Sequence, residues 1–143
     1  MGTAPPPGQG RGPLRVLIVE DDPRRQEWLR SLFRDHAWVL VHTAERAVRL
    51  VEAYEFDLVC LDYDLAGPGK GDAVAAALPG SRSARARVLV HAMNAVGAGR
   101  ILDLLPGAHW IPISRLMRKN EVFKRIRAAL HQGVPEDWDA LVR

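Results

Sequence analysis

Two short apolar runs in this chain stop abruptly at carboxylates, and that arrangement limits the possible folds more than any other feature. Arg15-Val-Leu-Ile-Val19 runs into Glu20-Asp21-Asp22, and Leu58-Val-Cys-Leu61 runs into Asp62. Continuous aliphatic stretches of this length read as strands buried on both faces, with the acids at their carboxyl ends. Helical periods separate the runs. Asp22 can cap a helix that starts at Pro23 and carries Trp28, Leu29, Leu32 and Phe33 on one face. Trp38 to His42 forms a second strand, and Thr43 caps a helix over Ala44 to Tyr54. After Asp62, Gly67-Pro-Gly-Lys-Gly71 makes a loop over the crevice, with Lys70 in reach of an anion, and an Ala-rich helix follows to about Leu78. The loop lacks the spacing of a nucleotide-binding phosphate loop.

Val88 to Ala92 forms a fourth strand, and Asn94 caps a helix carrying Ile101, Leu102, Leu104 and Leu105. Trp110 to Ile113 forms a short fifth strand, whose Pro112 cannot donate to a ladder and so belongs at a sheet edge. A last helix runs from about Glu121 to His131, with the stripe Val122, Phe123, Ile126 and Leu130 facing the core. Five strands alternating with five helices predict an α/β three-layer sandwich with a parallel sheet. The flavodoxin-like order 2-1-3-4-5 puts the fifth strand at the edge and a ligand crevice at the ends of the first and third strands. Those are the two ends that carry acids.

The length of 143 residues suits one domain, and a hydrophobic content of 48% supports a core without cross-links. We expect a disordered Gly/Pro-rich segment over 1–13, the domain over 14–132, and a tail over 133–143. The single cysteine, Cys60, excludes an intramolecular disulfide and favours a reducing compartment. It lies mid-strand as a core residue. Met1 to Pro13 lacks the apolar centre of a secretory leader, and no apolar run approaches the roughly 20 residues that cross a bilayer. A cytoplasmic location with no membrane partner is expected. The net charge of +3 comes mostly from arginines spread over several helices, a pattern of solvated faces rather than a nucleic-acid surface.

In the predicted topology Glu20, Asp21 and Asp62 converge. Carboxylates this close repel one another unless a cation joins them. A hard divalent ion such as Mg²⁺ suits few protein ligands plus water, and Asp64 can add a further oxygen. The runs Val16-Leu-Ile-Val-Glu-Asp-Asp22 and Asp57-Leu-Val-Cys-Leu-Asp62 resemble the first and third strands of response-regulator receiver domains, and the resemblance spans about 14–131. It implies that Glu20 and Asp21 hold Mg²⁺ and that Asp62 accepts a phosphoryl group from a histidine kinase or phosphotransfer protein. With no output module recognisable in the sequence, the signal would pass to a downstream protein by direct contact. Receivers of this kind often form homodimers.

Two positions depart from the receiver pattern. His91 stands where the family has Ser or Thr, and Ile113 stands where it has Lys. Leu61-Asp-Tyr-Asp-Leu65 together with Val90-His-Ala-Met-Asn94 resembles a divergent receiver subgroup suggested to process cyclic phosphates. That resemblance implies a metal-dependent phosphoesterase using His91 with Asp62 or Asp64, and Asn94 as a donor to phosphate. Alternatively, His91 is a neutral histidine bonded at a strand end, and Asn94 is a helix cap. The leading expectation is a receiver that accepts phosphate on Asp62. The alternatives are the phosphoesterase and a scaffold that binds its partner without phosphorylation. His36, His42, His109 and His131 lack metal-ligand spacing and suit surface or capping roles.

Overall fold

The computed structural model describes residues 12–143. Five strands form one parallel sheet: β1 (Arg15–Val19), β2 (Ala37–Val41), β3 (Leu58–Leu61), β4 (Arg87–Val90) and β5 (His109–Trp110). Their order is β2-β1-β3-β4-β5, the doubly wound arrangement expected from the alternation of strands and helices. The register pairs Val19 with Leu61 and Leu61 with Val90, so three strands end level with one another. Glu20, Asp62 and His91 are the next residues on those strands.

The central strands are apolar throughout because both faces are covered. Leu17, Val19, Val59, Leu61, Val88 and Val90 face one core, together with residues of α2 (Ala44–Ala53), α3 (Gly71–Ala77) and α4 (Ala95–Leu104). Val16, Ile18, Leu58, Cys60 and Leu89 face the other, against α1 (Pro23–Leu32) and α6 (Asn120–Leu130). The side chains thus alternate with period two between two buried layers. Each fully buried aliphatic side chain contributes about 1.5–3 kcal/mol.

The caps form as the sequence predicts. Asp22 accepts from the Arg25 N–H at 3.0 Å, Thr43 from Arg46 at 3.2 Å, and Asn94 from Gly97 at 3.0 Å. The five expected helices are present, and two short ones join them: α5 (Ile113–Leu116) and α7 (Trp138–Val142). The fifth strand is shorter than expected and ends at Trp110, because Pro112 takes the cap position of α5 and turns the chain away from the sheet edge. After Gly133 the chain returns to the protein. Trp138 is buried in the core shared with α1 and α6, and Asp137 caps α7 by accepting from Ala140 at 3.0 Å. The expectation for 1–13 falls mainly on residues 1–11, outside the described residues. No helix among the described residues is long and apolar enough to cross a membrane.

Candidate functional site

Glu20, Asp62 and His91 form a buried trio at the carboxyl ends of β1, β3 and β4. One potential ligand atom from each lies within 4.8 Å of the others. Backbone hydrogen bonds set their positions: Asp62 N–H donates to Val19, His91 N–H to Leu61, and Ile113 N–H to the His91 carbonyl. Glu20 and His91 are fully buried, and Asp62 is 3% exposed.

The Glu20 carboxylate turns inward. Its Oε2 accepts from the N–H groups of Asp21 at 3.0 Å and Asp22 at 3.1 Å. Its Oε1 lies 2.9 Å from His91 Nε2. Burial pushes the Glu20 pKa up, but the hydrogen bond and field of His91, the Asp22 N–H and the nearby Arg25 charge outweigh it. The carboxyl is held below its ordinary value. An ionised Glu20 can only accept, so Nε2 of His91 carries the hydrogen. His91 Nδ1 is then a buried nitrogen with no hydrogen-bond partner among the described residues.

Asp62 shifts the other way. Burial is the largest cause and the Glu20 charge adds to it. The field of His91 and the Tyr63 N–H, which donates to Oδ1 at 2.8 Å, oppose them. The net result raises Asp62 to about 6. Its second oxygen, Oδ2, lies 3.9 Å from Nη1 of Arg25 on the first turn of α1. Arg25 is a member of this site that the motifs do not single out. Its signal in the sequence is the Asp22-Pro23 start, which places the third helical residue over the same strand ends.

Close packing fixes the floor of the site. A Cβ at Gly71 would collide with the Asp62 carbonyl oxygen, and one at Gly97 would collide with the Tyr63 ring. The Tyr63 hydroxyl accepts from Arg100 at 3.1 Å, and Trp110 donates to the Ala92 carbonyl at 2.9 Å. Other expected members stand apart from the trio. Asp21 and Asp64 are exposed and fall outside the metal-competent group. Asn94 caps α4 through Oδ1, and its amide nitrogen lies 3.5 Å from Asp64 Oδ2. Lys70, expected to reach an anion, donates instead to the Leu65 carbonyl at 2.9 Å. Ile113, at the position of the receiver lysine, is buried.

The donor set suits a divalent ion. Two buried carboxylates lie side by side, and the imidazole extends the choice from Mg²⁺ to Mn²⁺ and other transition ions. Glu20 and Asp62 would hold the ion, with His91 as a third ligand or as the group that orients Glu20.

The family model of the cyclic-phosphate processing receiver domain matches residues 16–106, well over half of the chain. The chain belongs to that family. No curated protein matches it. Three solved structures similar to this chain are response regulators. The Mn²⁺-bound response regulator Rcp1 shares 18% identity at a TM-score of 0.68, over 86% of this chain and 98% of its own. The phosphorylated cyanobacterial phytochrome response regulator RcpA shares 18% at 0.66, over 82% and 91%. TrrA of Thermotoga maritima, solved with Mg²⁺ and beryllofluoride, shares 20% at 0.61, over 79% and 98%. At these identities the likeness concerns the fold.

Proposed function

We propose that this receiver domain takes a divalent ion at Glu20 and Asp62 and hydrolyses a cyclic phosphate ester to the open phosphomonoester. The observation that carries this reading is His91. An imidazole stands where a receiver has a hydroxyl, joins Glu20 at 2.9 Å, and lies beside Asp62. The receiver lysine position holds buried Ile113, so the relay that links phosphate to a signalling face is missing its cation. The family match points the same way.

In this reading a bound ion supplies Lewis-acid charge and a water of lowered pKa. The protein's own groups do the rest. Glu20 is held ionised and oriented by His91 and two backbone N–H groups. Asp62, the trio member that touches solvent, meets the phosphate and accepts a proton from water. Asn94 and Asp64 line the exposed rim, where the amide can donate to a phosphate oxygen. Water adds to phosphorus, one ring P–O bond breaks, and the leaving oxygen takes up a proton.

A second reading keeps Asp62 as the acceptor of a phosphoryl group from a histidine kinase or phosphotransfer protein, with output by protein contact. Its support is the slightly exposed Asp62 at the end of β3.

One experiment separates them. The protein with Mg²⁺ or Mn²⁺ is incubated with cyclic nucleotides of both ring sizes and followed by phosphorus NMR, and a parallel sample with acetyl phosphate is weighed intact. We expect a phosphomonoester signal that vanishes in Asp62→Asn and on chelation. A stable phosphoryl adduct at Asp62 with no ring opening would overturn the hydrolytic reading in favour of the acceptor.

A further inference from the structure

We propose that Arg25 is the anion-holding residue of this site, taking a phosphate oxygen in the role that the absent lysine leaves open. The inference rests on the proposed phosphate chemistry and on four observations.

Arg25 Nη1 lies 3.9 Å from Asp62 Oδ2, over a carboxylate side chain that is only 4% exposed, while the Arg25 side chain itself is 34% exposed. The guanidinium therefore sits at the mouth, between the buried acid and solvent. At 3.9 Å it attracts Asp62 without a hydrogen bond, and its side chain makes no hydrogen bond among the described residues. Its five donors remain available to an anion. A planar fork of this kind matches the oxygen spacing of a phosphate.

The backbone holds Arg25 in place. It occupies the first turn of α1, with Pro23 starting the helix and the Asp22 carboxylate accepting its N–H at 3.0 Å. Two positions that could supply a cation do not. Lys70 is bound to the Leu65 carbonyl, and the receiver lysine position is Ile113. The Arg25 charge thus has opposite effects on the two species that enter the crevice. It repels a divalent ion arriving at Asp62 and attracts the phosphate that follows.

That opposition is the test. Full-length wild-type protein, Arg25→Gln and Arg25→Lys are titrated by calorimetry, first with Mg²⁺ alone and then, at saturating Mg²⁺, with inorganic phosphate. Circular dichroism verifies that each variant is folded. Arg25→Gln is expected to bind Mg²⁺ as tightly as wild type or more tightly, and phosphate about tenfold more weakly. Arg25→Lys recovers part of the phosphate affinity. A purely structural role would weaken both ligands together. Unchanged phosphate affinity in folded Arg25→Gln, with wild type binding phosphate, overturns the assignment to Arg25 alone. Wild type that binds Mg²⁺ but no phosphate overturns both this assignment and the function on which it rests.

Discussion

Strands β1 and β3 carry charged side chains at both ends, and the two ends are handled in opposite ways. At the amino end Arg15 meets Asp57 with two side-chain hydrogen bonds of 2.9 and 3.1 Å, and its backbone N–H adds a third at 2.8 Å. The charges are opposite and reach water, with side chains 52% and 32% exposed. At the carboxyl end Glu20 and Asp62 have the same sign and are buried. The amino end needs nothing further to satisfy its electrostatics. The carboxyl end keeps two like-charged side chains buried together and an imidazole nitrogen with no hydrogen-bond partner among the described residues. An arrangement that costs stability while the rest of the sheet is satisfied marks where the chain does chemistry.

Substitution at the two ends sharpens this contrast. The largest effect is expected for His91→Ala, which strips a buried hydrogen-bond donor from an ionised carboxylate. A loss of about 3–5 kcal/mol is expected, read by urea unfolding at pH 7. A loss under 1 kcal/mol would mean that Glu20 does not depend on His91. Because that variant is damaged in its fold, any loss of its activity needs a folding control.

The next effect has the opposite sign. Asp62 is raised from 3.8 to about 6 in the folded protein. Its contribution to stability is complete below pH 3.8 and is lost as the pH rises through about 6. Asp62→Asn removes the buried charge, so it is expected to stabilise the metal-free protein at pH 7 by up to about 3 kcal/mol, because each tenfold change in proton affinity is worth about 1.4 kcal/mol. The gain fades toward pH 4 and shrinks when a divalent ion saturates the wild type. Glu20, held below its ordinary value, contributes in the reverse sense, with stability present above pH 4.5 and lost as acid protonates it. Thermal melts across pH, with and without Mg²⁺, check both signs. The smallest effect belongs to the amino end: Arg15→Ala is expected to cost no more than about 1 kcal/mol by the same melts, because water screens the pair.

Much of this arrangement was legible in the amino-acid order. Buried parallel strands declare themselves as apolar runs, helix starts declare themselves through Asp22, Thr43 and Asn94, and the edge place of β5 was expected, although Pro112 proves to cap α5 rather than to lie in the strand. Topology alone brought Glu20, Asp21 and Asp62 to one crevice; His91 entered through the family resemblance, and the structure groups it, rather than Asp21, with Glu20 and Asp62. What the sequence did not reveal depends on side-chain direction. Glu20 turns inward while the adjacent Asp21 stays in water, Asp64 is exposed outside the buried trio, and Lys70 is taken up by the Leu65 carbonyl. Arg25 was hidden among the other arginines of α1. The burial of Trp138 was hidden too, because a short segment after a glycine carries too little periodic signal to announce that it packs.

Cys60 gives the sheet an internal clock. The lone thiol lies two residues before Asp62, wholly enclosed, and burial pushes its pKa upward. A thiol reagent in the surrounding water cannot reach it while the strands stay closed. Labelling therefore requires the central sheet to open, and its rate reports how readily it does so. A ligand that binds only the folded protein is expected to slow that reaction, so labelling of this sulfur reads occupancy of the site without altering any residue that builds it.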